Sequence, residues 1–197
     1  GAVQRPRLDP SLFDPQTAQM VPRLLAAMQA GDDATLRAVI GIFEEADFTI
    51  VGVEDIAPQL LPGAGVLAGT LPGNAEPDAS RAAAIVAALG AVDVGQGCVV
   101  SHGLCLAVEA LPGTDAMLAG VAALPDSLRP KGGLFYKAAK PGQDRRIDLP
   151  TIGPETLSLV AKAGLAGICF KAGSVICLDL PAMLAEAQAR GLFLWAR

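Results

Sequence analysis

The chain has 197 residues, enough for one good hydrophobic core or two small ones. Hydrophobic residues make up 52% of it, which excludes a disordered protein, and a formal net charge of −5 argues against a general nucleic-acid-binding surface. No apolar run reaches the length of a membrane span, and the first six residues lack an apolar signal sequence. The start also lacks an initiator Met, so we expect the chain to be part of a longer protein.

The first third of the chain predicts helices joined by irregular segments. Residues 1–20 are rich in Pro and weakly periodic, and they are predicted to be a linker or the tail of a preceding domain. Pro22 suits the first turn of a helix that ends at Gly31. A second helix is expected over residues 32–46, with Asp32 or Asp33 as its N-cap.

Residues 48–53 are β-rich and predict a short strand, and residues 54–61 could form one more helical piece. The following segment, residues 62–77, is rich in Gly and Pro and predicts a long surface loop.

After this loop, predicted helices alternate with apolar runs that are typical of strands. Helices are expected over residues 79–89, 114–124, 154–163 and 180–190. Strands are expected over residues 97–101, 104–110, 134–138, 167–170, 175–178 and 192–195. The turns at residues 102–103 and 172–174 predict two hairpins. The fold class is therefore α/β, with a mixed sheet and covering helices in a C-terminal domain that follows a helical segment.

Neither cysteine nor histidine chemistry is indicated. The four cysteines form no C-x-x-C pair and lie in apolar runs, so they are predicted to be small buried residues in a reducing cytoplasm: Cys98, Cys105, Cys169 and Cys177. The single histidine, His102, falls at a predicted hairpin tip, which disfavours a Ser-His-Asp apparatus. Carboxylate, metal and arginine chemistry remains.

The most informative stretch is the polar loop of residues 140–153, between a predicted strand and a predicted helix. Its charged and amide side chains are Lys140, Gln143, Asp144, Arg145, Arg146 and Asp148. Arginine forks match phosphate oxygens, and carboxylates suit Mg²⁺ and the activation of water. The N–H groups at the start of the following helix favour a phosphate. A solvated loop with incidental ion pairs is the alternative interpretation.

Two shorter stretches also carry candidate residues. Glu109 ends a strand, and Thr114 and Asp115 open a helix, an arrangement common in α/β active sites. The plainer interpretation is that Thr114 and Asp115 only cap this helix. The turn of residues 93–97 contains Gln96 and two glycines, which let backbone approach a ligand closely, although an Asx turn explains it more simply.

These stretches resemble one known family. Asp-Val-Gly-Gln at 93–96, Ala-Val-Glu at 107–109, Gly-Thr-Asp-Ala-Met at 113–117, Lys-Pro-x-Gln-Asp-x-Arg-x-Asp-Leu-Pro-Thr-Ile-Gly at 140–153 and Ala-Gly-Leu-Ala-Gly-Ile at 163–168 occur in this order. Two further segments are similar to earlier parts of the family, Gly-x-Val-x-Arg-Pro at 1–6 and Gly-Asp-Asp at 31–33. Together they resemble the metal-dependent UDP-2,3-diacylglucosamine pyrophosphatases of some Gram-negative bacteria.

The resemblance implies a reaction of lipid A biosynthesis, in which UDP-2,3-diacylglucosamine and water give UMP and 2,3-diacylglucosamine 1-phosphate. It implies Mg²⁺ (or Mn²⁺) as cofactor. It also implies two domains, a remnant of an N-terminal Rossmann-like domain plus a helical linker over residues 1–74, and a catalytic domain over residues 75–197. We expect a cytoplasmic enzyme in peripheral contact with the inner membrane, because two acyl chains must be buried. The expected partners are the substrate and a second copy in a homodimer, with no nucleic acid.

By the family motif, Asp148 is the best catalytic candidate, and Asp144 is added from the same loop. The predicted metal ligands are Asp148, Asp115 and Glu109. The predicted substrate-binding residues are Arg145, Arg146, Lys140, Gln143, Thr114 and Gln96. We expect the four acids to face one polar cleft. Pro112, Ala119 with Gly120, and Leu180 depart from the family pattern and put a lipid-phosphate clamp near Ala119 in doubt.

Two other functions are compatible with these residues. A non-catalytic module could use the same arginine loop to bind a sugar nucleotide or an anionic lipid. A structural dimerisation domain is supported only by the apolar strands. If a preceding domain completes the site, we expect the chain as given to be nearly inactive.

Overall fold

The computed structural model describes residues 9–128 and 131–197, apart from the side chains of Asp32 and Asp33. The chain divides into two compact units, the first ending at Ile50 and the second comprising Val51–Arg197. The family motif at residues 1–6 lies outside the described residues, and so do the capping side chains predicted at 32 and 33.

The first unit is a pair of helices, α1 (Pro15–Ala30) and α2 (Asp32–Glu45), preceded by a short 3-10 turn. The carboxylate of Asp14 accepts the N–H of Thr17 at 2.6 Å and caps α1. Because this cap and Pro15 start the helix at residue 15, the interpretation as a linker is wrong for residues 15–20. Pro22 lies inside α1 rather than at its start.

Five helices and eight strands of the second unit lie within the described residues. The helices are α3 (Val53–Ile56), α4 (Ala75–Ala91), α5 (Gly113–Ala122), α6 (Pro154–Lys162) and α7 (Leu180–Arg190). The strands are β1 (Gly65–Ala68), β2 (Gly97–Ser101), β3 (Leu104–Val108), β4 (Leu134–Lys137), β5 (Thr151–Ile152), β6 (Gly167–Phe170), β7 (Ile176–Cys177) and β8 (Phe193–Ala196). The four helices predicted after residue 77 are confirmed.

A six-stranded sheet has the order β1-β8-β6-β4-β2-β3. Its centre, β4, β6 and β8, is parallel, whereas β2 runs antiparallel to β4, and β3 and β1 pair antiparallel at the two edges. The short strands β5 and β7 form a separate parallel pair. The predicted α/β class with a mixed sheet is confirmed.

Helices cover both faces of the sheet. Alternation along β4 sends Leu134 and Tyr136 toward α4 and sends Phe135 into the core beneath α5, α6 and α7. All three side chains are at most 6% exposed, so β4 is buried on both faces, as expected for a strand in the parallel centre of the sheet.

Three predictions of local structure are wrong. Strands β6 and β7 do not form a hairpin, because β6 pairs with β4 and β8 while β7 pairs with β5. The segment 62–77 is not all loop, since it contains β1 and the start of α4. Residues 48–52 form no strand. Strands β1, β6 and β7 pair with strands that lie far away in sequence. Residues 48–52 pair with no strand among the described residues.

The hairpin of β2 and β3 is confirmed, with His102 at its tip in a left-handed conformation at φ 49°. Asp78 is buried within the first turn of α4. Its carboxylate accepts the backbone N–H of His102 at 3.0 Å and that of Gly103 at 2.6 Å, and also a bond from Asn74 Nδ2 at 2.7 Å. Asp78 therefore fastens the hairpin tip to α4.

Three of the four cysteines are buried as predicted, but Cys105 is exposed on the edge strand β3. Burial raises the pKa of Cys169 and of Cys177 to about 12 and raises the pKa of Cys98 as well. A thiol is reactive as its thiolate, so these three are expected to be inert in the folded protein.

We therefore expect a thiol reagent such as DTNB to modify one cysteine of the native protein rapidly and all four in denaturant. Cys105→Ser should abolish the fast reaction without changing the slow one. Rapid modification of two or more thiols in the native protein would contradict the buried positions.

Candidate active site

The carboxyl ends of the three parallel strands meet at one edge of the sheet, where sites in α/β folds commonly lie. Lys137, Lys171 and Arg197 stand at the ends of β4, β6 and β8. The loop of residues 138–150 leaves β4 at this edge and carries most of the predicted site residues.

A cleft of about 660 Å³ lies between this loop and α4. Its polar lining includes Tyr136, Lys140, Gln143, Arg145, Lys171 and Arg197. Four of these are cationic, and none of the described residues that line the cleft is acidic. The cleft is thus suited to an anion.

Three of the four cations of the cleft are held by ion pairs. Lys140 Nζ lies 2.6 Å from Asp93, and Arg197 Nη2 lies 2.6 Å from Glu76. Arg145 is paired with Glu54 at 2.7 Å and also donates to the carbonyl of Gly173 at 2.6 Å. These partners limit the freedom of the cationic side chains.

Asp148 is held by a chain of amide side chains. Gln143 Nε2 donates to Asp148 Oδ2, and Gln143 Oε1 accepts from Lys140 N at 3.0 Å and from Gln96 Nε2 at 3.5 Å. The backbone N–H of Lys140 can only donate, so the oxygen of the Gln143 amide must face it and the NH₂ group must face Asp148. The structure therefore brings Gln96, Gln143 and Asp148 together and orients the carboxylate.

Asp144 makes a two-pronged contact within the same loop. Its oxygens lie 3.0 Å from Arg146 Nε and 2.7 Å from Arg146 Nη2. This fork geometry fixes the planar guanidinium. Asp144 is thus positioned to hold Arg146, and its predicted catalytic role stays a prediction.

Glu109 and Thr114 meet around a residue that the sequence analysis did not select, Lys137. Lys137 Nζ lies 3.3 Å from Glu109 Oε2 and 2.5 Å from Thr114 Oγ1, and the Thr114 hydroxyl lies 3.1 Å from the same Glu109 oxygen. Thr114 makes no capping bond to α5, so the interpretation of it as a helix cap is wrong. A lysine inside an apolar strand is the signal that could have identified Lys137.

The glycines of the turn at 93–97 make room for Glu109. A Cβ atom at Gly97 would lie 2.6 Å from Glu109 Oε2 and 2.8 Å from the ring of Phe135. A Cβ atom at Gly95 would collide with the backbone carbonyl of Glu109. The atoms that approach the two glycines closely therefore belong to side chains and backbone of the protein.

Asp115 lies elsewhere, in a groove of about 550 Å³ between α5 and α6 that is also lined by Glu155, Lys162 and Ala119. Within residues 9–128 and 131–197, no three Asp, Glu, His or Cys side chains are grouped so that they could hold a metal ion. The structure thus does not gather the four acids as expected, because Lys137 and Arg146 engage Glu109 and Asp144 separately. The individual metal roles of Asp148, Asp115 and Glu109 stay predictions.

Comparison with known proteins identifies the family. Residues 63–195 match the LpxI C-terminal domain, and residues 1–60 match the LpxI N-terminal domain. The chain belongs to the LpxI family. A relative, the UDP-2,3-diacylglucosamine pyrophosphatase LpxI of Caulobacter vibrioides, is 40% identical over 198 residues, which cover 98% of this chain and 71% of the relative.

Family membership confirms the resemblance inferred from the motifs. The Asp148 loop and the Lys137 cluster both fall within the match to the LpxI C-terminal domain. The domain boundary predicted between residues 74 and 75 stays a prediction; the second compact unit begins at Val51, and the LpxI C-terminal match begins at residue 63.

Proposed function

We propose that this LpxI-family chain hydrolyses the diphosphate of UDP-2,3-diacylglucosamine to UMP and 2,3-diacylglucosamine 1-phosphate, a step of lipid A biosynthesis. The observation that carries the proposal is the loop of residues 138–150, in which Gln143, one of the residues that line the cationic cleft, donates a hydrogen bond to the carboxylate of Asp148. The relative that is 40% identical is a UDP-2,3-diacylglucosamine pyrophosphatase, which supports the same reaction.

In this proposal, Lys140 and Arg145 bind the diphosphate, because they line the cleft and are fixed by ion pairs. Asp148 orients the attacking water and takes its proton. The water oxygen bonds to one phosphorus, the bridging P–O bond breaks, and the departing phosphate keeps the electron pair. The predicted contributions of Arg146, Thr114 and Gln96 to substrate binding are part of the same proposal.

The described acidic residues fit Mg²⁺ binding by one or two carboxylates and substrate phosphates better than binding in a cage of protein carboxylates. A cage of three protein carboxylates does not occur among the described residues. Mg²⁺ is commonly held by one or two carboxylates together with substrate phosphates, and Asp148 can supply such a carboxylate. When bound, Mg²⁺ (or Mn²⁺) would neutralise diphosphate charge. Glu109 is a poorer ligand for Mg²⁺ than Asp148, since the ammonium of Lys137 already lies 3.3 Å from Glu109 Oε2.

We also propose that the protein works in the cytoplasm, at the inner membrane surface. The described helices include none that is long and apolar enough to cross a bilayer. The two acyl chains of the substrate carry a transfer free energy of about 0.8 kcal/mol per CH₂ group, which keeps them in the membrane or in a protein trough. Association as a homodimer remains a further proposal.

The second candidate function is a binding module for a sugar nucleotide or an anionic lipid. The absence of acidic side chains among the described residues that line the cationic cleft favours it, because a pure binder needs cations without a carboxylate.

The experiment supplies the full-length protein, stripped of metal by EDTA, with UDP-2,3-diacylglucosamine in detergent micelles. UMP is measured without metal, with Mg²⁺ and with Mn²⁺. We expect UMP release that depends on added metal. Release that is equally fast in EDTA would remove the metal from the proposal, and substrate binding without UMP in every arm would establish the binding module.

A further inference from the structure

A buried ion pair lies at the same edge of the sheet but outside the Asp148 loop. Lys137 and Glu109 have side chains that are 7% and 13% exposed, and Thr114 bonds to both of them. Strand β4 contributes the lysine, the segment after β3 the acid, and the first turn of α5 the hydroxyl. Three separate elements therefore converge on one ammonium group.

Such a pair is a poor device for stability. Two charges withdrawn from water lose solvation that their mutual attraction often fails to restore, and apolar residues of equal volume usually serve as well. The fold nevertheless leaves room for the carboxylate of this pair, since a Cβ atom at Gly97 would lie 2.6 Å from Glu109 Oε2.

The pair is joined to the proposed catalytic loop by a short chain of bonds. Lys137 is followed by Ala138, whose N–H donates to the carbonyl of Gln96 at 3.0 Å. The side-chain amide of Gln96 lies 3.5 Å from that of Gln143, which in turn donates to Asp148. The backbone that follows Lys137 is thus connected through Gln96 and Gln143 to Asp148 at the carboxyl edge of the sheet.

The lysine ammonium retains donor capacity. It carries three N–H donors, and Glu109 and Thr114 account for two of them. Nζ also lies 6.0 Å from the centroid of the Phe135 ring, at the outer limit of a cation–π contact. A fixed, poorly hydrated ammonium with a remaining donor binds an anionic oxygen strongly.

We propose that Lys137 contacts a phosphate oxygen of the substrate, and that Glu109 and Thr114 are positioning residues that hold its ammonium. This inference rests on the proposed diphosphate hydrolysis. It replaces the predicted metal-ligand role of Glu109 by a pairing with a protein cation. During hydrolysis the ammonium stabilises the negative charge that stays on the departing phosphate when the P–O bond breaks.

The test must distinguish a lysine that contacts phosphate from a lysine that only stabilises the fold. Lys137→Met alone cannot do so, because it leaves Glu109 buried without its cation. That single variant is expected to lower Tm by about 10 °C. The double variant Lys137→Met/Glu109→Gln removes both charges and should keep Tm within about 3 °C of the wild type. Lys131→Met is the matched control. Lys131 precedes the amino end of β4 and lies beside the hairpin tip at His102, whereas Lys137 lies at the carboxyl end of β4.

Two quantities are measured for each full-length variant, kcat/KM for UMP release and the Kd of UDP by calorimetry. We expect the folded double variant to lose at least about 100-fold in kcat/KM and about tenfold in UDP affinity. Glu109→Gln alone, which leaves the ammonium and the Thr114 contact, should lose no more than about tenfold in kcat/KM. Lys131→Met should match the wild type in both measurements.

If the activity and the UDP affinity of the double variant are within about threefold of the wild type, the inference is overturned and the ion pair has only a structural role. A loss in Glu109→Gln as large as that in Lys137→Met would also overturn it, because the carboxylate would then be the acting group. If the wild type releases no UMP, the proposed function fails. Weaker UDP binding by the double variant would then still support the phosphate contact, and unchanged UDP binding would overturn that as well.

Discussion

Asp148→Asn is expected to lower kcat/KM for UMP release by at least about a thousandfold, because a positioned proton acceptor contributes roughly 10²–10⁴ to such a rate and any metal contact is lost with it. The fold should survive, since Asn keeps the size of the side chain and its oxygen still accepts from Gln143. The measurement is steady-state hydrolysis together with Tm.

Asp179→Asn is the matched control. Asp179 accepts the N–H of Ala182 at 3.2 Å and caps α7, and Asn serves equally well at this position. The control should retain wild-type rates. An Asp148→Asn variant with a rate within tenfold of the wild type would remove Asp148 from the chemistry.

Asp78→Ala is expected to have the largest effect on stability. Its carboxylate is 1% exposed and accepts two backbone N–H groups of the hairpin tip and one bond from Asn74. Each buried group that loses its partner costs about 1–3 kcal/mol, so we expect a loss of roughly 3–5 kcal/mol and a fall in Tm of about 10 °C or more.

The comparison variant is Asn74→Ala, which removes only the side-chain contact to Asp78 and leaves both backbone bonds in place. Its Tm should fall by no more than about 3 °C, in a thermal melt followed by circular dichroism. Equal, small shifts for the two variants would show that Asp78 does not fasten the hairpin tip.

Elements that are fixed by local chemistry could be predicted from the sequence. Pro154 starts α6, Asp179 caps α7, and Gly191 ends it in a left-handed conformation. The hairpin at His102 was likewise predicted, because its turn needs two positive φ values, and His102 and Gly103 provide them.

Elements that depend on distant partners could not be predicted in this way. Strand β1 pairs with β8, and β7 pairs with β5, so no local turn specifies either one. The turn at 172–174 has the composition of a hairpin, but both flanking strands find better partners elsewhere.

The same limit applies to the candidate site. The loop residues could be selected from the sequence because they form one continuous motif. Gln143 and Asp148 are five positions apart in it, so they are also close in space. The pairing of Glu109 with Lys137 spans 28 positions and depends on the register of the sheet. The predicted metal role of Glu109 could therefore not take account of the ammonium beside it.

The most direct test of diphosphate hydrolysis identifies both products of one reaction. Full-length protein is incubated with UDP-2,3-diacylglucosamine and Mg²⁺, and the quenched mixture is analysed by mass spectrometry. The account predicts UMP and 2,3-diacylglucosamine 1-phosphate in equal amounts, at a rate that falls to background with Asp148→Asn. Recovery of intact substrate from a protein that binds it, or equal product formation by Asp148→Asn, would contradict it.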